Sequence, residues 1–278
     1  MFWVKIIKQS KDSALIENCF GIGRNKFPSV NASVESRLVM PLIRGRDVGR
    51  WRAEPSLHIV MPYDAENDGK AISESRLKRE FPKTFAYFQR FSDAMLNRAH
   101  YRQHFEPSSQ PYWSMYNVGN YTFAPYQVVW REQSSSFRCA VLDSDVQPLA
   151  IVDHKLSTVA CASGEEAHFL AALLNSSPGV FFIQCYVINI QISTHVLNYV
   201  KIPRFSASTA LHRELAKQSR LTHDATREGN AGAAAESAEK IDRLAGEFWG
   251  LTKAEREGMR VQTSVQTLED EESVEEEE

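Results

Sequence analysis

Four arginines, Arg44, Arg46, Arg50 and Arg52, fall in the short segment LVMPLIRGRDVGRWR at 38–52, which is broken by Gly45 and Gly49. The glycines argue against a simple helix. A guanidinium on a glycine-flexed loop presents a planar donor fork suited to phosphate oxygens or a guanine edge. A solvated loop partly neutralised by Asp47 fits the same composition equally well. A second stretch, YWSMYNVGNYTFAPYQVVWRE at 112–132, sets Tyr112, Trp113, Tyr116 and Asn117 ahead of a strand-like run. These residues can offer aromatic faces for stacking and an amide able to pair bidentately with adenine. Composition by itself favours the plainer reading, an aromatic turn packed into its own core.

Other reactive residue types do not assemble into a complete active site. His100 and His104 stand at i, i+4, a spacing that can chelate zinc. Between them lie Tyr101, Arg102 and Gln103, without the glutamate of a zinc-hydrolase helix, so surface histidines on a last helical turn are expected. His195 has no serine or cysteine nucleophile signature beside it and reads as packed or DNA-facing. The run Cys19-Phe20-Gly21-Ile22-Gly23 holds two glycines, with Lys26 where a third would fall for dinucleotide binding, and reads as a turn. Three Pro-Tyr pairs, at 62–63, 111–112 and 125–126, lack the asparagine and second proline of an Asn-Pro-Pro-Tyr motif. No metal site and no bound cofactor is expected in this chain.

The elements that must position these residues follow from periodicity and breakers. Residues 2–9 and 14–20 read as a strand hairpin turning at 10–13, and 57–63 as a buried strand stopping near Pro62. A long amphipathic helix is expected over 73–102, capped by Ser73 and kinked or divided at Pro82. Val118-Gly119-Asn120 reads as a tight turn using glycine's access to positive φ, followed by a strand over 121–131 whose early part Pro125 places at an edge or bulge. Short strands are expected at 137–142, 149–152 and 157–162. A helix at 164–175 carries Glu165 and Glu166 at its start, and a further apolar element begins at Pro178. A short helix within 192–203 has Ser193 or Thr194 as its cap. Helices at 207–226 and 235–249 precede a third at 252–258 with Glu255 in a capping box.

With 43% hydrophobic and 24% charged residues among 278, the chain has enough apolar material for a folded core and is not a disordered protein. The formal net charge of −3 is set by the last ten residues, EDEESVEEEE, whose eight acids leave the remainder at +5. Such a block of like charges repels itself and is expected to be disordered. Cys19, Cys139, Cys161 and Cys185 form no CxxC pair, so buried thiols in a reduced interior are expected. The opening MFWVKIIKQSKDS has neither a charged leader before an apolar core nor a small-residue cleavage site. The longest apolar run, 178–190, is interrupted and too short to span a bilayer. A cytoplasmic protein without a membrane partner is expected.

Taken in order, Pro41-Leu42-Ile43-Arg44-Gly45-Arg46-Asp47-Val48, the run from Tyr116-Asn117-Val118 to Pro125-Tyr126 with Val129-Trp130-Arg131, Leu173-Leu174-Asn175-Ser176-Ser177-Pro178, and Gln191-Ile192-Ser193-Thr194-His195 with Lys201-Ile202-Pro203 resemble one family. It is the C-terminal target-recognition, or TaqI-like specificity, domain of adenine-specific amino-group DNA methyltransferases, including single-chain restriction-modification enzymes. The resemblance covers 36–205. This chain departs from the family pattern at Asn120, usually proline, and at Gly179, often a longer apolar residue.

The resemblance implies a specificity half that closes over double-stranded DNA opposite a catalytic domain or subunit. That partner would bind S-adenosylmethionine and receive the flipped adenine. It places Arg44, Arg46, Tyr116, Asn117, Ser193 and Thr194 near DNA, with Arg131 and Lys155 as further candidates. The fold expected is α+β, a DNA specificity domain with a mixed sheet at 1–205, a helical appendage at 206–262 and a disordered acidic tail at 263–278. The alternatives are a stand-alone protein interaction module derived from such a domain and an unrecognised hydrolase, which would need a pocket with paired titratable groups.

Overall fold

The computed structural model describes residues 1–19, 28–64, 69–105, 110–187, 191–192 and 194–263. The glycine turn at 20–23, Ser193 and the acidic tail lie outside the described residues.

Strict alternation builds the opening hairpin. β1 (Trp3–Gln9) pairs antiparallel with β2 (Ser13–Asn18); Val4, Ala14 and Ile16 are fully buried while Lys5 and Leu15 face outward. β3 (Asn31–Glu35) extends the hairpin beyond β2. β4 (Val39–Ile43) takes up the first part of the arginine segment, so only its remainder is loop. Next come a short hairpin of β5 (Val48–Gly49) and β6 (Arg52–Ala53), then β7 (Leu57–Val60), which stops short of Pro62. β8 (Tyr63–Asp64) pairs with β9 (Lys70–Ala71).

The helix expected over 73–102 is four helices, α1 (Glu74–Glu80), α2 (Pro82–Gln89), α3 (Ser92–Leu96) and α4 (Ala99–His104). Ser73 caps α1 through the Arg76 N–H at 3.4 Å. Pro82 divides the run by occupying the first turn of α2, where no N–H is needed. The start of α2 is capped from outside the helix. The Glu35 carboxylate accepts the Lys83 and Thr84 amides at 3.0 and 2.9 Å and the Thr84 hydroxyl at 2.6 Å.

The strand expected over 121–131 begins late. Asn120–Phe123 is a 3-10 turn and β10 is Tyr126–Arg131. β10 is the central strand of its sheet, flanked by β11 (Cys139–Asp143) and, after β12 (Ile151–Val152), by β13 (Leu156–Cys161). A central strand needs its amides, so it starts after Pro125 rather than containing it. α5 (Gly164–Asn175) has the expected bounds; Ser163 Oγ accepts the Glu166 N–H at 3.1 Å and Glu166 accepts the Ala162 N–H at 2.6 Å.

The Leu-Leu-Asn-Ser-Ser-Pro motif has a structural use. Asn175 is fully buried and pairs through its amide with the Cys139 N–H at 3.0 Å and carbonyl at 2.8 Å, while Ser176 caps α6 (Ser177–Gln184) through the Gly179 N–H at 3.1 Å. A Cβ on Gly179 would lie 1.9 Å from the Leu173 carbonyl oxygen, so this chain requires glycine there. The short helix expected within 192–203 is a 3-10 turn, Thr194–Asn198. α7 (Ala210–Arg227), α8 (Ala231–Phe248) and a helix at 253–263 complete the described chain. Thr252 and Glu255 form the expected capping box, with reciprocal bonds of 2.7 and 3.3 Å.

The fold is α+β, in two compact units of three stretches each: Met1–Ile43, Pro55–Ala124 and Pro148–Ile151 form the first, and Arg44–Glu54, Pro125–Gln147 and Val152–Glu278 the second. The first unit holds a six-stranded sheet of order β12-β4-β7-β1-β2-β3, whose core joins Val4, Ile16 and Val34 to Leu77, Phe88 and Trp113. In the second, α5 covers the three-stranded sheet and packs on α7, and α7 packs on α8. Leu215, Ala216, Ile241 and Ala245 on these helices share one core with Trp130, Phe169 and Leu173. Cys139 is buried, Cys19 and Cys161 are half-buried and Cys185 is exposed, against the expectation of uniformly buried thiols.

Candidate nucleic-acid interface

The C-terminal end of β10 gathers segments that are far apart in the second unit's sequence. Trp130 is fully buried and its indole N–H donates to the Ile192 carbonyl at 2.8 Å. The Glu132 N–H donates to the Lys155 carbonyl at 3.1 Å, and the Glu132 carbonyl accepts the Ile192 N–H at 2.7 Å. Arg131 Nε reaches the Gly45 carbonyl at 2.7 Å and fixes the arginine loop to the strand end. Three separate stretches, around 45, 155 and 192, are thus tied by hydrogen bonds to two adjacent residues, Arg131 and Glu132.

Charge accumulates at this junction. Arg46, Arg131 and Lys155 are exposed, and Thr194 is exposed at the start of its 3-10 turn. Arg44 is committed inward: Asp47 Oδ2 lies 3.5 Å from its Nε and accepts its backbone N–H at 2.9 Å. Partial burial, and then the Arg138 charge, hold the Arg131 guanidinium below its usual value. Arg138 was not singled out from the sequence. Arg138 precedes β11, whose first residue Cys139 pairs with Trp130, and its charge is felt at Arg131. Like charges close to each other cost stability, and a bound polyanion relieves that cost.

Tyr116 and Asn117 belong to the first unit, on a loop anchored from behind. Arg98 donates to the Tyr112 and Ser114 carbonyls at 2.7 and 2.8 Å. Trp113 is fully buried and bonded to the Ile72 carbonyl at 3.0 Å, and the Tyr63 hydroxyl donates to the Met115 carbonyl at 3.1 Å. Burial raises the Tyr63 phenol to about 12, so it stays protonated as a donor. Tyr112 and Trp113 therefore pack into the core as the plainer reading held, while Tyr116 and Asn117 emerge from it. The positive φ expected at Gly119 falls instead on Asn117, at 60°, and Gly119 is extended at −159°. Asparagine tolerates that region, and here the Tyr121 hydroxyl sits 2.6 Å from the Asn117 carbonyl oxygen and 2.8 Å from its Oδ1.

Tyr116 stacks on His104, with ring centroids 4.1 Å apart and planes at 25°, and both imidazoles of α4 are exposed. His195 is exposed as well. Among the described residues no group of three or more His, Cys, Asp or Glu is arranged to hold a metal. Nor, among them, is any helix long and apolar enough to cross a membrane.

A pocket in the second unit, lined in part by Trp51, Asp143, His168, Arg220 and His223, bears on the hydrolase reading. His168 Nδ1 lies 3.1 Å from Ser219 Oγ, and its Nε2 is 3.9 Å from Asp143 Oδ2. The Val141 N–H donates to His223 Nε2 at 3.0 Å, so the ring proton sits on Nδ1, which donates to the Ser219 carbonyl at 2.8 Å. Burial, then His223 and Arg220, push His168 down to about 2, and burial pushes His223 down to about 4. Ser219 is fully buried on α7, where its hydroxyl has no substrate approach. These are neutral core histidines rather than a nucleophile and its base. No protein-family model and no curated protein matches this chain.

Proposed function

We propose that this chain is the DNA target-recognition portion of a site-specific adenine DNA methyltransferase, working with a separate catalytic domain or subunit. The observation that carries the reading is the junction at the end of β10. There the stretches that carry Arg46, Lys155 and Thr194 are hydrogen-bonded to Arg131 and Glu132, with Arg138 adding charge. Such a cluster on a rigid strand end is built to hold phosphates. Arg131 positions the Gly45 loop while offering the rest of its guanidinium, and Arg44 acts through Asp47 rather than on DNA. Base reading belongs to the Tyr116–Asn117 loop, where an exposed ring and an amide stand together.

S-adenosylmethionine is assigned to the catalytic partner. The sequence has no three-glycine cofactor turn, and its one Gly-x-Gly pair, Gly21 and Gly23, lies outside the described residues.

The test is anisotropy titration of fluorescent duplexes over a salt series, with the full chain alone and with its catalytic partner. Arg46→Ala and Lys155→Ala should each weaken binding to every sequence alike and lower the salt slope by about one. Salt-independent binding, or none to any duplex with the partner present, would overturn the reading and leave the interaction module.

A further inference from the structure

We infer that the stack of His100, His104 and Tyr116 is a nucleobase platform, which takes an unpaired base on the open face of Tyr116 with the two imidazoles as backing rings. The inference rests on the DNA-recognition reading and names the state of DNA that the first unit engages. Tyr116 lies 5.8 Å from His100 with planes at 12°, besides its closer contact with His104, and the two imidazoles are 6.0 Å apart at 13°. The three rings are thus nearly parallel. One face of Tyr116 is covered by His104, yet the residue remains 55% exposed, so its other face is open to solvent.

This arrangement differs from the aromatic packing beside it. Phe88 and Trp113 stack in the same unit fully buried, where their order follows from close packing. Three ordered rings at the surface are instead held by a loop pinned by Arg98, Trp113 and Tyr63. Asn117 stands next to the platform, its Oδ1 accepting from the Tyr121 hydroxyl at 2.8 Å and its Nδ2 able to meet a base edge, and Tyr121 adds a second exposed ring. Arg102 is exposed on the same helix as the two histidines. Across 98–123 the sequence holds one acid, Glu106, against the two cations Arg98 and Arg102. Aromatic faces beside positive charge are the elements of single-strand recognition, and the amide favours a base over a proline-rich peptide.

The experiment uses the full chain and three probes: a duplex with one 2-aminopurine opposite an abasic site, the same duplex fully paired, and a proline-rich peptide. The wild-type protein should bind the unpaired-base duplex more tightly than the paired one and quench its fluorescence. Tyr116→Ala should lose about tenfold or more in affinity for the unpaired-base probe, while Tyr116→Phe keeps it. His104→Ala should weaken the quench and His104→Phe restore it, with near-UV circular dichroism showing that each variant is folded. A Tyr116→Ala protein that keeps the preference for the unpaired base would overturn the platform while leaving duplex recognition standing. Binding of the peptide and of neither duplex would overturn both.

Discussion

Lowering the pH from 7.5 to 5.0 should destabilise the second unit by about 4 kcal/mol through His168 and His223 alone. Both rings are neutral in the folded protein, His168 pushed down to about 2 and His223 to about 4 from an ordinary value of 6.5. A depressed histidine leaves the unfolded chain binding more protons, so stability is complete above about pH 6.5 and falls as acid charges the unfolded state. The loss ends only once the folded value is passed. Protonating an unfolded histidine of value 6.5 at pH 5.0 contributes RT ln(1 + 10^1.5), about 2 kcal/mol per group. Both folded values lie below pH 5, so this magnitude barely depends on either of them. Urea denaturation at the two pH values measures it. His168→Gln should lower stability at both but reduce the loss between them by about 2 kcal/mol, because comparing the two differences cancels the baseline cost of the substitution. A variant with the full wild-type pH dependence would refute the assignment of a neutral, buried His168.

The backbone at Asn117 separates its two possible roles. Asn117→Gly, which keeps the positive φ without strain, should change stability by no more than about 0.5 kcal/mol yet cost on the order of 1–3 kcal/mol of discrimination for the preferred site; a uniform loss across scrambled duplexes would end the base-reading role. Asn117→Ala should in addition lower the melting temperature, because alanine is strained at φ 60°. Deleting 269–278 should tighten non-specific DNA binding at low salt, with the gain fading as screening shortens toward about 10 Å at 0.1 M; equal affinities at low ionic strength would contradict it. Glu35→Ala, which strips the cap from α2, should cost about 1–2 kcal/mol in thermal or chemical denaturation, and a change below about 0.5 kcal/mol would assign that cap no weight.

Local signals were readable wherever neighbours in sequence decide the outcome. Glu165 and Glu166 marked the start of α5, the Thr252–Glu255 pair marked a capping box, and Pro82 marked a division. The start of β10 was misplaced because Tyr121 and Thr122 have strand-forming side chains. The need for a central strand's amides overrides that preference at Pro125. The positive φ moved from Gly119 to Asn117 where the Tyr121 hydroxyl lies close to Asn117, a contact no local rule contains. Among the candidate site residues, Arg46, Lys155 and Arg131 were visible as charges, but their gathering at Glu132 was not. It depends on single hydrogen bonds between stretches tens of residues apart. His168 and His223 gave no sign at all, since their neutrality comes from burial.

The alternation of the chain between its two units sets the order in which the protein can be made. The 44–54 hairpin leaves the ribosome before the rest of its unit, carrying Trp51, whose φ is 66° in the folded protein. The ring against which Trp51 packs edge-on, His223 at 5.3 Å, is added about 170 residues later, on the order of ten to thirty seconds at ordinary elongation rates. Throughout that interval a large apolar side chain waits without its partner, and its strained backbone conformation can form only once the core is finished. A nascent chain stalled anywhere before α7 would present that tryptophan to chaperones or to other nascent chains, and no single cut would release either unit as one continuous polypeptide.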